Sequence, residues 1–289
     1  MIGALLGDMV GSVYEFHSIK RKDFLLLSDK SSFTDDSIMT LAVCQATLDF
    51  IETYADDSPY WNPKNEEKYK SMVIDSMKSW GYVYPFAGYG GMFRKWLFSR
   101  ESLPYNSFGN GSAMRVSSIP WLFDNINDVQ TFSKWQAEVT HNHTEGVKGA
   151  QAIASATFYA RQGHDKEYII NKIRNQFGYY LTQTLNDIRP SYTFDVTCQG
   201  SVPEAIECFI ESSCTVDAIR NAVSLGGDCD TQGAMAGAIA EAFYGRFTQD
   251  ILITYDTFMS KLDSSMHFII DRFNRHLANS DMKQKGLKV

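Results

Sequence analysis

Residues 224–245 read SLGGDCDTQGAMAGAIAEAFYG. A Gly-Gly pair leads into two aspartates one residue apart, then a threonine, then a Gly/Ala run of helical character. Gly226 and Gly227 point to a chain in unusual dihedral space or passing close to another group. Gly233 and Gly237 stand four apart, about one helical turn. The N-terminal stretch GALLGDMVGSVYE has the same spacing at Gly3, Gly7 and Gly11. A helical glycine costs roughly 1 kcal/mol relative to alanine, so three on one face need a packing reason. The two bare faces are natural partners for close packing.

The rest of the chain reads as helix. Ile38, Leu41, Cys44, Leu48 and Ile51 form one stripe, and Val147, Ala150, Ala154 and Phe158 another, both at the 3.6-residue period. Further helices are expected near 66–80, 112–123, 129–140, 165–176, 203–212, 215–224, 231–244, 249–262 and 265–278. Turn residues mark the connections 17–33, 54–65, 81–91, 99–111 and 187–201. Alternating strands, hairpin turns, linkers and repeats do not stand out. The prediction is one compact all-α domain over residues 1–280, with 281–289 a polar, frayed tail.

Composition narrows the function classes. The chain has 289 residues, 44% hydrophobic and 21% charged, with net charge −7 and pI near 5.4. That balance argues against broad electrostatic binding to nucleic acid or anionic membrane. Five cysteines without a CxxC pair fit a reducing compartment and speak against a disulfide framework or a structural zinc site. Asp8 interrupts the apolar N-terminus, and no run approaches the ~18–20 apolar residues of a membrane span. A cytoplasmic, soluble, monomeric protein is the expectation.

Several clusters depart from generic helix composition. In SFTDDSIMTLAV, Thr34 is a good N-cap, with Asp35 and Asp36 in the first turn, where carboxylates complement the helix dipole. Capping alone would explain them. Asp228, Asp230 and Thr231 could likewise be a cap. Asp8 and Glu15, seven apart, would project from one side of a helix long enough to hold both. NSFGNGSAMRVSSIP is a glycine-rich loop opening onto a helix, an arrangement that offers free N–H groups to an anion. VTHNHTEGVKGAQ places His141 and His143 ahead of another helix, where capping and metal binding are both open.

If the glycine faces meet, Glu15 and Thr34-Asp35-Asp36 could meet Asp228-Cys229-Asp230-Thr231. Four aspartates and a glutamate in one pocket cannot all stay ionised uncompensated. Carboxylate and hydroxyl oxygens suit Mg²⁺ or Mn²⁺, whereas zinc would favour Cys and His. Five carboxylates suffice for two divalent ions.

The ordered set GALLGDMVGSVYE, FTDDS, GNGSAMRVSSIP, THNHTEGVKGAQ and SLGGDCDTQGAMAGAIAEAFYG resembles the ADP-ribosylglycohydrolase family nearly end to end. The resemblance implies an all-α fold with a central binuclear Mg²⁺ or Mn²⁺ site held by Thr34, Asp35, Asp36, Asp228, Asp230 and Thr231. It makes Glu15, Asp35 and Asp36 the catalytic candidates. It assigns Gly109, Asn110, Gly111 and Ser112 to the diphosphate and distal ribose, and puts His141 near the substrate. His143-Thr144 stands where the family often has HP, and GSVYE omits a proline many relatives carry. Cys229 replaces a common Thr, Ser or Ala and reads as a spacer.

The implied reaction is metal-dependent hydrolysis of the C1″ bond joining ADP-ribose to an acceptor, releasing ADP-ribose. ADP-ribosyl-arginine on protein leads as substrate. Serine, O-acetyl-ADP-ribose or an ADP-ribosylated nucleobase would present the same ADP-ribose end, and small conjugates are equally possible. Acceptor discrimination is expected in 17–33 and 81–108. The competing readings are a non-catalytic ADP-ribose-binding relative and a metal-dependent phosphohydrolase of the diphosphate.

Overall fold

The computed structural model describes residues 1–54 and 60–284. Among them are fifteen α-helices. The first eight are α1 (Ile2–Gly11), α2 (Asp35–Thr53), α3 (Glu66–Val83), α4 (Gly91–Phe98), α5 (Gly111–Met114), α6 (Ile119–Leu122), α7 (Ile126–Glu138) and α8 (Thr144–Arg161). There follow α9 (Lys166–Phe177), α10 (Leu185–Ile188), α11 (Cys198–Ile210), α12 (Thr215–Leu225), α13 (Cys229–Tyr244), α14 (Gln249–Met259) and α15 (Ser264–Gln284). Among the described residues the only β pairing is an isolated bridge between Gly109 and Thr197. None of the described helices is long and apolar enough to cross a membrane.

The small-residue helix α13 is the axis of the fold. It is buried from Cys229 to Glu241 and packs on α1, α8, α11 and α12. The seam with α1 is backbone against backbone. A Cβ on Gly3 would lie 2.2 Å from the Gly237 carbonyl oxygen, and one on Gly11 2.3 Å from that of Cys229. Only glycine permits this approach, so the two glycine faces do meet. At the far end of the seam the Gly3 N–H donates to Glu241 Oε2 at 2.8 Å, and the Met1 ammonium pairs with the same oxygen at 2.6 Å. One apolar core, running from Leu5 and Met9 through Phe50, Tyr69 and Phe132 to Phe209, fills the space between the helices.

Several boundaries differ from the sequence reading, each for a local reason. The expected helix over 112–123 is two short turns, α5 and α6, because Pro120 can open a helix but not continue one. The helix expected from 203 starts at Cys198, where the Thr197 hydroxyl caps the Gly200 N–H at 3.1 Å and Pro203 is carried inside. The short helices α4 and α10 were not anticipated. The N-terminal helix stops at Gly11, so Glu15 arrives through a turn and not on the same helix as Asp8. The expected tail begins within α15, whose backbone continues to Gln284; residues 285–289, like 55–59 of the 54–65 connection, lie outside the described residues.

Candidate active site

The site is built where the α1–α13 seam meets the N-terminus of α2. Asp8, one residue beyond Gly7, faces that N-terminus. Its Oδ2 accepts the N–H groups of Thr34 and Ser37, both at 3.0 Å, and the Ser37 hydroxyl; its Oδ1 accepts the Thr34 hydroxyl at 2.6 Å. Burial pushes the Asp8 pKa up, while the four donors oppose that shift and favour the carboxylate. Asp8 therefore caps a helix from another part of the chain and fixes where Asp35 and Asp36 stand. Sequence reading noticed Asp8 without giving it a role.

The second half comes from the Gly-Gly turn. Gly226 ends α12 in the left-handed region at φ +66°. Gly227 has no room for a side chain, since a Cβ there would sit 2.3 Å from Tyr192 Cε1. Asp228 occupies the N-cap position of α13 without capping it, and its Oδ2 instead accepts Asn110 Nδ2 at 2.7 Å. Thr231 is the third residue of the helix and not its start. Its Oγ1 donates to Asp36 Oδ2 at 3.3 Å, tying the halves together. Cys229 points the other way, its thiol donating to the Gly227 carbonyl at 3.3 Å, and burial raises its pKa.

Carboxylates from the two halves of the chain come together. Oxygens of Asp8, Asp36 and Asp230 lie within 4.8 Å of one another, as do those of Glu15, Asp228 and Asp230, so Asp230 belongs to both groups. Asp8 joins the predicted set, and Asp35 belongs to neither group although it lines the same cavity. Burial first, and then the charge of Asp230 and Asp8, raise Asp35 and Asp36 well above the carboxylate range. Burial, then Asp228 and Asp8, do the same to Asp230. Glu15, half-buried, is pushed up to about 8 by burial and by Asp230 and Asp8. Asp228 rises to about 6, burial outweighing its bond from Asn110. None of the ion pairs among the described residues brings a Lys or Arg to this group.

Two observations show that the residues fit divalent cations. Asp36 Oδ1 is buried with no hydrogen-bond partner, which a native fold tolerates rarely. The donors are hard oxygens, the set Mg²⁺ and Mn²⁺ prefer.

The carboxylates open on a cavity of about 570 Å³, within the range of small-molecule sites. Glu15, Asp35, Asp36, Asp228, Asp230 and Thr231 line it, as do Gly109, Asn110, Gly111 and His141. Thr34 is set back behind Asp35 as the N-cap of α2, its Oγ1 accepting the Asp36 N–H at 3.3 Å. Ser112 is fully buried beneath the loop, its hydroxyl donating to the Gly146 carbonyl at 2.7 Å. The loop itself is pinned to 196–198: Asn110 N–H donates to the Val196 carbonyl at 2.8 Å and Cys198 N–H to the Phe108 carbonyl at 2.9 Å. His143 is a helix cap, its Nδ1 accepting the Glu145 N–H at 3.1 Å.

Of the two segments expected to discriminate acceptors, 81–108 reaches the cavity at 88–93 and again at 105–108. The segment 88–93 closes one wall, with Gly88 at φ +101° beside Asp35 and α4 opening onto the cavity from Gly90. The signal was present as GYGG. Phe16 and Phe194 stack at 6.3 Å and 28° on the rim and are 78% and 47% exposed. None of residues 17–33, expected to discriminate acceptors, lines the cavity. That segment is held along α12 by Arg220, which donates to the Lys22 and Phe24 carbonyls at 2.6 and 2.7 Å.

A family model described as ADP-ribosylglycohydrolase matches residues 1–248. The ADP-ribosylhydrolase ARH3 of Bos taurus is 29% identical, the match covering 85% of this chain and 84% of the relative. Human ARH3 is 28% identical over the same shares. The ADP-ribosylarginine hydrolase Tri1 of Pseudomonas putida is 26% identical over 85% of this chain and 69% of its own length. A solved ADP-ribosylglycohydrolase-related protein complex aligns with a TM-score of 0.66 over 97% of this chain and 95% of that one, at 19% identity, a likeness of fold.

Proposed function

The chain belongs to the ADP-ribosylglycohydrolase family, and from that premise we propose that it is an enzyme that removes ADP-ribose from a modified acceptor by hydrolysing the C1″ bond. The observation that carries the reading is the pair of carboxylate groups sharing Asp230 on the wall of the 570 Å³ cavity.

Two Mg²⁺ or Mn²⁺ ions would be held by Thr34, Asp35, Asp36, Asp228, Asp230 and Thr231. When bound they supply Lewis acidity and a water of lowered pKa. The remaining work falls to the chain. The open N-terminus of α4 and the Gly111 N–H offer donors to the diphosphate. Gly109 and Asn110, whose own N–H groups are held by Ser107 Oγ and the Val196 carbonyl, form the wall against which it and the distal ribose would lie. Asn110 also holds Asp228 in place through its side chain. The carboxylates favour positive charge developing at C1″. Glu15 reaches the cavity from a turn and has its pKa near neutrality, which suits it to move a proton to or from the reacting groups. Asp35 and Asp36 are the other candidates for that step.

The acceptor we favour is arginine. The relative Tri1 is named for that linkage, and Glu15 beside the exposed faces of Phe16 and Phe194 suits a planar cation. The test is a panel of ADP-ribosylated arginine, serine and O-acetyl substrates, each with Mg²⁺ or EDTA. Free ADP-ribose as product supports a glycohydrolase, and its release only from the arginine conjugate supports that acceptor. AMP with ribose phosphate would mark a phosphohydrolase, and unchanged conjugate a binding protein. Full activity in EDTA, or in Asp35→Ala and Asp230→Ala, would remove the metal model.

A further inference from the structure

Arg115 follows the glycine-rich loop and is 1% exposed, a guanidinium buried against the cavity wall. No carboxylate pairs with it among the described residues. Its Nε donates to Gln136 Oε1 at 2.8 Å, and its Nη2 donates to the Gln136 carbonyl and to Thr140 Oγ1, both at 2.9 Å. The Phe93 ring faces the guanidinium at 5.8 Å. A buried cation with only neutral partners is costly, so its position calls for an explanation beyond filling space.

The contacts fix a direction of hydrogen bonding. Arginine can only donate, so the Thr140 oxygen accepts from it. The Thr140 hydroxyl proton is then free for His141 Nδ1, 2.7 Å away. A hydroxyl oxygen can accept twice, but among the described residues Arg115 and His141 are the only groups bonded to the Thr140 hydroxyl. Its proton therefore finds an acceptor only where Nδ1 is unprotonated and the ring proton sits on Nε2. Nε2 faces the glycine loop: a Cβ on Gly111 would come within 3.2 Å of it, and one on Gly109 within 3.6 Å. Gly146 makes room behind the ring, where a Cβ would lie 3.0 Å from His141 Cβ. Burial, then the nearby Arg115 charge, hold the imidazole well below its usual pKa, so it stays neutral.

We propose that Arg115 is a positioning residue: through the Thr140 hydroxyl it holds His141 as the Nε2–H tautomer, a neutral donor aimed at an anionic oxygen of the ligand beside Gly109–Gly111. The ligand half of this proposal rests on the reading of the cavity as an ADP-ribose site; the tautomer half does not. Arg115 in this scheme touches neither substrate nor metal ligand. A direct hydrogen bond to a charged group contributes enough that its loss weakens binding roughly ten- to a hundredfold.

The two halves are tested separately. In ligand-free protein labelled with ¹⁵N-histidine, the His141 ring is assigned by comparison with His141→Asn. The wild type is expected to show a neutral ring protonated at Nε2 at pH 7, and Thr140→Val, which removes the hydroxyl but keeps the shape, to show a mixture of tautomers. A wild-type ring protonated at Nδ1, or a ring unchanged in Thr140→Val, overturns the relay. Thr140→Val leaves the His141 donor in place and changes only its tautomer. ADP-ribose titrated into the Mg²⁺-loaded variant should therefore bind more weakly than wild type by the inverse of the Nε2–H fraction seen in the ring spectra, about twofold for an even mixture, with Arg115→Lys intermediate if it folds. Equal binding by Thr140→Val and wild type overturns the positioning role. Binding by neither defeats the ADP-ribose reading and the ligand half with it, while the tautomer is still decided by the ring spectra.

Discussion

A Cβ on Gly7 would stand 2.1 Å from the carbonyl oxygen of Gly233, and one on Gly233 2.6 Å from that of Gly7. This contact spans most of the chain and sets the distance between Asp8 and Asp230, which follow and precede it on their helices. The carboxylate site thus depends on a seam where backbone meets backbone, with the small apolar cluster of Ala4, Ala234 and Ala238 packed beside it.

Gly7→Ala should therefore be among the most damaging single-methyl additions in the protein. Backbone on both sides leaves nothing to swing aside, so a loss at or above the ~1–3 kcal/mol of ordinary overpacking is expected. Gly91→Ala is the control, at the first position of α4 with open space around the added methyl, and should stay within about 0.5 kcal/mol. Urea unfolding of both variants checks this. Equal midpoints would mean the seam can open.

Divalent ions should stabilise the folded protein. At a hundredfold excess over Kd, Mg²⁺ would add about 2.7 kcal/mol, seen as a rise in Tm that EDTA reverses. Asp36→Asn should lose most of that rise, since Asp36 brings an unpartnered buried oxygen to the site. In EDTA the same variant should be at least as stable as wild type, because it relieves repulsion among buried carboxylates. A variant destabilised equally with and without Mg²⁺ would instead mark Asp36 as structural.

Without ions, these carboxylates tie stability to pH. Glu15 moves from 4.5 to about 8 on folding, so the folded state holds the extra proton between those values. Stability from this group is complete below about 4.5 and is lost as pH rises towards 8. His141, lowered on folding, acts in the opposite sense but only below its unfolded value of 6.5. Between 6.5 and 8 the Met1 ammonium, lowered from 8.0 by burial, still opposes Glu15, but it does so equally in Glu15→Gln. The difference in Tm between wild type and Glu15→Gln in EDTA should therefore shift against wild type as pH rises through this window. Saturating Mg²⁺ should abolish it by favouring the ionised forms. Identical pH slopes for wild type and Glu15→Gln across this window in EDTA would contradict the assignment.

The sequence carried the seam and the acidic halves because both leave a periodic or clustered trace. Glycines four apart call for a close neighbour, and the carboxylates of TDD and DCDT call for cations held between them or for capping roles. Asp8 was harder to read. Its role depends on lying opposite the N–H groups of Thr34 and Ser37, a relation of tertiary structure with no local pattern. Arg115 and Thr140 were illegible for the same reason, being ordinary residues joined only when α5 and the end of α7 meet. The 17–33 segment misled because it is polar and follows Glu15, yet Arg220 and Lys20 bind it to α12 and away from the cavity.

Acceptor choice should then reside in Phe16 and Phe194. They are large exposed rings on the rim beside Glu15, stacked on each other, while the third, Phe108, is turned to His143. Removing an exposed ring face from a cation costs about 0.5–1 kcal/mol, a few-fold in binding. Phe16→Ala and Phe194→Ala should accordingly raise KM for an ADP-ribosyl-arginine substrate a few-fold while leaving inhibition by free ADP-ribose unchanged, because the product lacks the group the rings face. Steady-state kinetics with product inhibition separates the two effects. If both variants weaken ADP-ribose to the same degree as substrate, the rings face the nucleotide and not the acceptor, and acceptor choice lies in the 88–93 wall.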